Sequence, residues 1–332
     1  TGVGFQPDLV WLKARTQSYY HNWYDSSRGG TLALFSNTND DEFADTGNLQ
    51  TFDSDGFTAD GFAGTNGSGV NYVAWNWLAN GGTTSSNTDG SITSTVQANT
   101  TAGFNIVTYT GTGSNATIGH GLGKVPAMMI VKKRTGANDD WAVYHNGVLT
   151  PSNARFHYVR LNSTNAYAGD GTYWNDTAPT TSVFTVGTNA DVNTSGHTYV
   201  AYIFTDIEGY SKFGKYTGNG TGSFGPFADG PFVYTGFKPA WVMIKRIDGA
   251  NGWTIFDSVR DPFNIVGNQL SANSSGAEEA DASHHSERDY YSNGFKLKAN
   301  GNDINANGAS YLYMAFASNP FVSSSGVPNT AR

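Results

Sequence analysis

The sequence predicts an all-β protein made of three tandem β-sandwich domains of the jelly-roll or concanavalin-like kind, and three observations carry that prediction. One set of strand and turn anchors recurs three times in the same order. Aromatic residues make up 14% of the chain and glycines number 41, a mixture that suits short strands and tight turns. Turn clusters rich in Gly and Asn separate the apolar runs at the short spacing usual for sandwiches, so long helices are not expected.

The first anchor is a strand that follows a proline and ends in lysine. It reads Pro7-Asp8-Leu9-Val10-Trp11-Leu12-Lys13, then Pro126-Ala127-Met128-Met129-Ile130-Val131-Lys132, then Pro239-Ala240-Trp241-Val242-Met243-Ile244-Lys245. A later turn-and-strand anchor pairs Asn66 to Gly69 with Tyr72, Asn193 to Gly196 with Tyr199, and Asn305 to Gly308 with Tyr311. Between them a strand begins at Gly56-Phe57-Thr58, Val183-Phe184-Thr185 and Gly294-Phe295-Lys296. The period exceeds that of solenoid repeats and propeller blades, so each copy is read as one small domain. In Tyr199 to Phe204 nearly every position is apolar, which predicts a central strand covered on both faces.

These anchors place an N-terminally incomplete first sandwich at 1–80, a Ser/Thr/Gly linker at 81–101, sandwiches at 102–209 and 210–321, and a tail at 322–332. Copies two and three carry an extra strand ahead of the proline, around Phe104–Tyr109 and Gly214–Gly218. Copy one has no room for it, so an open sheet edge is expected there, covered by upstream sequence or by another chain.

A net charge of −8 with 19 scattered Lys and Arg offers no basic stripe for a phosphate backbone, so nucleic acid is not an expected partner. The chain has no cysteine, which excludes disulfides, thiolate catalysis and Cys-ligated zinc. No apolar run is long enough to span a bilayer.

The segments GFQPDLVWLK, YDSSRG, DSDGFT, NYVAWNW, GHGLGKVPAMMIVKKR, DGPFVYTGFKPAWVMIKR and YLYMAFASNPF resemble a tandem domain of large structural proteins in marine tailed bacteriophages. The resemblance covers nearly the whole chain. It implies a virion component of tail-fibre, appendage or lectin-like type with a concanavalin-like sandwich, located on the extracellular particle. It implies no catalytic residue.

Asp25 with Arg28 and Asp257 with Arg260 read as ion pairs pinning a turn, with His145-Asn146-Gly147 at the matching place in copy two. The acidic clusters Asp40, Asp41, Glu42, Asp45 and Glu278, Glu279, Asp281 read as solvated loops, because neither supplies a glycosidase pair in every copy. No G-x-S-x-G elbow frames a serine, and an enzyme is not expected. His284-His285 beside Glu287 and Asp289 is a poor zinc set, since adjacent residues of an extended segment point to opposite sides. The loops Asp53-Ser54-Asp55-Gly56, Asn189-Ala190-Asp191 and Asn302-Asp303 offer oxygen ligands for calcium, but turn chemistry explains them better, and no cofactor is assigned.

Aromatic residues outside the anchors are the candidate glycan contacts: Tyr19, Tyr20 and Trp23 in copy one, Tyr173 and Trp174 in copy two, and Tyr290 and Tyr291 in copy three. Trp75, Trp77, Trp141 and Trp253 lie in or beside anchor strands and are expected in the core. The resulting expectation is a virion fibre or appendage protein, oligomeric and by first guess trimeric, contacting other virion proteins and a host-surface glycan. A capsid- or tail-decorating protein without ligand is the second reading. A bacterial extracellular adhesin or a polysaccharide depolymerase is the third.

Overall fold

The computed structural model describes residues 2–318 except 45–46, 48, 137, 149–153, 222–228 and 281–285, together with two short strands at 321–322 and 328–329. Strands hold 42% of the residues and helices 4%, in antiparallel sheets without a closed barrel. The all-β prediction therefore matches the fold.

Unit one contains β1 (Leu9–Ala14), β2 (Asn22–Asp25), β3 (Leu32–Phe35), β4 (Phe43–Ala44), β5 (Leu49–Asp53), β6 (Gly56–Ala59) and β7 (Tyr72–Trp77). Its main sheet runs β4-β3-β2-β1-β7, with the β5-β6 hairpin over one face. Unit two contains β8 (Ser85–Asn87), β9 (Ser94–Asn99), β10 (Phe104–Thr110), β11 (Ala116–Gly119), β12 (Met128–Lys133), β13 (Ala142–His145), β14 (His157–Arg160), β15 (Ala168–Gly169), β16 (Val183–Val186) and β17 (Thr198–Phe204). Eight of these form the sheet β15-β14-β13-β12-β17-β10-β9-β8, and β11-β16 form the covering pair. Unit three contains β18 (Ser211–Thr217), β19 (Phe232–Tyr234), β20 (Pro239–Arg246), β21 (Trp253–Asp257), β22 (Leu270–Ser271), β23 (Arg288–Tyr291), β24 (Gly294–Leu297) and β25 (Ser310–Ala317). Its sheets run β18-β25-β20-β21-β22 and β19-β24-β23. A last hairpin pairs β26 (Phe321–Val322) with β27 (Pro328–Asn329).

The anchors explain themselves in this frame. Each proline strand pairs with the strand that follows the anchor tyrosine. That tyrosine closes the preceding turn: its hydroxyl donates to the carbonyl of Ala63, Ala190 or Asn302 and accepts from the N–H of Gly67, Thr194 or Ala306. One side chain thus satisfies two backbone groups that would otherwise be orphaned, which is why the Tyr keeps its distance from the turn in all three copies.

Side-chain alternation sends each main sheet into two cores at once. Val10 and Leu12, Met129 and Val131, and Val242 and Ile244 face the outer core of their own unit. Leu9 and Trp11, Met128 and Ile130, and Trp241 and Met243 face the other way, into one cluster shared by all three units. Seven of the eight tryptophans lie in that cluster, the four expected as core among them. Trp11 meets Trp23 at 4.5 Å, Trp75 at 5.3 Å and Trp241 at 6.2 Å between ring centroids, and Trp23 meets Trp141 at 5.2 Å.

The units close a ring. The N–H of Glu42 in unit one donates to Arg134 of unit two (2.9 Å), that of Tyr167 in unit two to Ile247 of unit three (2.9 Å), and that of Glu278 in unit three to Arg15 of unit one (2.7 Å). Three head-to-tail contacts that return to their start form a closed heterologous ring within a single chain.

The segment expected as a linker at 81–101 differs from that expectation. It contains β8 and β9, with Ile92 and Val96 in the second outer core and Gln97 buried, its amide reaching Ser26 and Ser27 of unit one. A polar strand suffices here because the edge of β10 needs a backbone partner more than it needs apolar cover. The tail residues 323–327 and 330–332 lie outside the described residues.

Two histidines sit deep in the ring. Trp11 Nε1 donates to His21 Nδ1 (2.9 Å), and Gly147 N–H donates to His145 Nδ1 (2.9 Å), which leaves His145 Nε2 as donor to the Tyr313 carbonyl (3.2 Å). Burial pushes His145 down to about 4 and His21 well below its ordinary value. An unfolded histidine takes up its proton near pH 6.5 while these stay neutral, so folding stability is full above that pH and declines as pH falls towards 4. The expected result is a melting temperature that drops between pH 7 and 5, with a shallower drop in His145→Gln; a flat profile would contradict it.

Candidate functional site

Burial corrects four of the seven candidate glycan contacts. Trp23, on β2, is 1% exposed and belongs to the shared core. Tyr173 and Trp174 end a single helical turn, Gly171–Trp174, capped by Asp170, and both are 1% exposed. Tyr173 stacks on Tyr158 and donates to Asp191, while Trp174 Nε1 donates to the His157 carbonyl (3.1 Å). Tyr290, on β23, packs in the third outer core. Each side chain is committed internally because its apolar body outweighs the polarity of its neighbours in sequence.

Tyr19, Tyr20 and Tyr291 remain accessible. Tyr291 meets Phe232 edge to face at 6.0 Å on the small sheet of unit three, with Tyr234 exposed nearby on the same strand as Phe232. Tyr19 and Tyr20 line a groove of about 490 Å³ in unit one together with Ser18, Asn22, Phe35, Phe43 and Phe62. Tyr20, Phe43 and Phe62 are 48%, 51% and 45% exposed. Tyr20 leans on Phe35 at 5.1 Å, which holds its ring in place. Asn22 donates to the carbonyls of Tyr20 (2.9 Å) and Gly64 (3.2 Å) and so ties the β1–β2 loop to the turn after Phe62. Its Oδ1 is buried and accepts nothing from the described residues. The groove therefore offers three exposed aromatic faces, an arrangement suited to a ligand with an apolar face. Tyr19 and Tyr20 are legible in the sequence as candidates, whereas Phe43, which opens β4, and Phe62, just before the turn at Ala63–Asn66, are not.

The groove wall is fastened to the ring. Phe43 follows Glu42, whose carboxylate accepts from Arg28 Nη1 (2.8 Å) and, as a two-pronged pair, from Arg134 Nε and Nη2 (2.9 Å each). Burial opposes the Glu42 charge, but hydrogen bonds from Arg134 and the nearby Arg28 overcome it and hold its pKa below the usual range. Arg28 also grips Asp25 at 2.5 Å, and Asp25 accepts from the Tyr202 hydroxyl (2.6 Å). The 3–1 contact repeats the set: Trp75 Nε1 to Asp257, Asp257 to Arg260, Arg260 to Glu278, and Glu278 to Arg15. The expectation of solvated acidic loops thus fails for Glu42 and Glu278, which are interface residues, whereas the Asp–Arg ion pairs are structural as read. Asp45 and Asp281 lie outside the described residues, as do His284 and His285.

At the 2–3 contact every member is replaced. His145 stands for the aspartate, Val148 for the arginine beside it, Tyr167 for the glutamate, Ile247 for the outer arginine and Met314 for the Tyr or Trp donor. Acid, bases and donor are lost together, which marks the five positions as one unit, since any one charge left alone would be buried without compensation.

Asp53 and Asp55 accept from Thr51 and Thr58 and from Gly2 and Gly4, and Asn189 caps the turn at Ala190–Asn193, so these loops carry turn chemistry. Among the described residues no three His, Cys, Asp or Glu side chains converge as metal ligands, and no helix is long and apolar enough to cross a membrane.

One family model, described as a domain of unknown function (DUF7483), matches residues 1–320, a span that takes in all three units. No curated protein and no solved structure matches the chain.

Proposed function

The chain belongs to the DUF7483 family of unknown function, and from that premise we propose that it is a non-catalytic virion protein of tailed-bacteriophage fibre or appendage type whose ring presents the unit-one groove to a host-surface glycan. The observation that carries this reading is the groove itself: Tyr20, Phe43 and Phe62 keep nearly half their surface open side by side around one cavity. Clustered exposed aromatics mark binding surfaces. The shared core and the ion-pair networks hold the groove on a rigid carrier. Several copies on one particle, as the resemblance implies, would raise weak single contacts to useful avidity.

A glycan array and host-type cells, probed with wild type and Tyr20→Ala/Phe43→Ala, test the reading. The double variant is expected to keep its melting temperature and lose binding by roughly tenfold or more, as stacked aromatic contacts of about 1 kcal/mol each imply. Wild-type binding unchanged in the variant would reject the groove. No binding by the wild type would favour the ligand-free decorating protein.

A further inference from the structure

The central strands of units two and three are paired on both sides, β17 between β12 and β10, and β25 between β20 and β18. In unit one β7 pairs with β1 alone and ends its sheet. The bond from Arg15 N–H to the Asn71 carbonyl fixes the alternation, so the backbone groups of Tyr72, Ala74 and Asn76 point away from β1. Among the described residues, the Asn76 side chain reaches the Ala74 carbonyl (3.2 Å), and no other bond to these groups is seen.

The two paired edges show what such an edge receives. Tyr109 of β10 lies opposite Tyr199 and stacks on it at 5.1 Å and 10°, and Tyr216 of β18 lies opposite Tyr311 and stacks at 5.0 Å and 10°. Both strands leave through Tyr-Thr-Gly, at Gly111 and Gly218. A Cβ on either glycine would come within 2.3 Å of the carbonyl of Thr194 or Ala306. The next N–H then donates to the turn asparagine, Thr112 to Asn193 (2.8 Å) and Asn219 to Asn305 (2.9 Å). Unit one keeps the receiving half. Tyr72 holds the same turn, while its counterpart asparagine, Asn66, is exposed with one long bond to Ala59 (3.4 Å). The surroundings agree. Phe213 of β18 lies by His145, the counterpart of Asp257, so the open edge adjoins the 257–260 turn, where Val259 is 85% exposed.

We propose that the β7 edge is a strand-addition site for an extended segment of the Tyr-Thr-Gly class, supplied from the amino-terminal side of unit one as β10 and β18 are supplied to theirs. It would run antiparallel to β7 with its tyrosine on Tyr72 and its N–H and C=O groups on Tyr72, Ala74 and Asn76, the backbone mode of peptide recognition. This inference is independent of the glycan groove.

The 332-residue chain is titrated with a synthetic peptide of residues 104–112, followed by calorimetry and amide exchange. The expected result is 1:1 binding, slowed exchange at Tyr72, Ala74 and Asn76, and roughly tenfold or greater weakening by Tyr109→Ala in the peptide or by N-methylation at Val107, whose N–H faces the edge. Neither change touches the protein's own folding. No binding, or equal binding by a scrambled peptide, overturns the proposal. Binding that appears only after removal of residues 319–332 would make the chain's own tail the occupant, and a protein dimer that the peptide dissociates would make it a second copy; either result overturns the assignment.

Discussion

Trp23→Ala is expected to destabilise all three units together, by about 3–5 kcal/mol, the usual cost of removing a buried tryptophan. Trp23 belongs to unit one by sequence, yet its ring lies 5.2 Å from Trp141 and 4.9 Å from Tyr202, both of unit two, and 4.5 Å from Trp11, which touches Trp241 of unit three. A cavity there removes contacts between units one and two and loosens Trp11, which carries the contact to unit three. Denaturant unfolding should stay a single transition at lower midpoint, and amide protection in β20 and β25 should fall as far as in β1. Leu49→Ala, confined to the outer core of unit one, is the contrast: its effect should be largest in β5 and β6. Loss of protection limited to unit one in Trp23→Ala would contradict the shared core.

The second large effect concerns the 1–2 network. Arg28→Ala leaves Asp25 and Glu42 buried beside each other without their common cation, and is expected to cost about 3–5 kcal/mol. The molecule itself contains the alternative solution at its 2–3 contact. Transplanting that set as Asp25→His, Arg28→Val, Glu42→Tyr, Arg134→Ile and Tyr202→Met removes every charge at once, so the fivefold variant should be markedly more stable than Arg28→Ala and lie within about 2 kcal/mol of wild type. A fivefold variant no better than the single one would mean that the two contacts are not equivalent. Because Phe43 adjoins Glu42, Arg28→Ala should also loosen the groove and weaken any ligand held there.

Much of this architecture is legible in the residues. The proline strands, the tyrosine turns and the unpaired edge of unit one follow from anchors at matching distances, because the same hydrogen bonds have to be made three times. The unbroken apolar run Tyr199–Phe204 announces a strand covered on both faces, although nothing in it says that the second cover is two other units. Glu42 and Glu278 are hidden because loops of different length separate them from their anchors, whereas Arg15, Arg134 and Ile247 stand at one fixed distance from the proline and signal the odd contact. The aromatic candidates divide for a similar reason. Tyr173 and Trp174 sit among polar residues in sequence, yet a capped turn folds them inward, and only tertiary placement brings Phe43 and Phe62 to Tyr20. The strands β8 and β9 are masked by a Ser/Thr/Asn composition that suits a linker, with Ile92 and Val96 as the one apolar hint.

Differential scanning calorimetry of the whole chain tests the ring most directly. One core shared by three units predicts a single endotherm whose van't Hoff and calorimetric enthalpies agree, with no separate melting of any unit. Two or three resolved endotherms, or a van't Hoff enthalpy near a third of the calorimetric one, would show three domains that fold apart and would contradict the account.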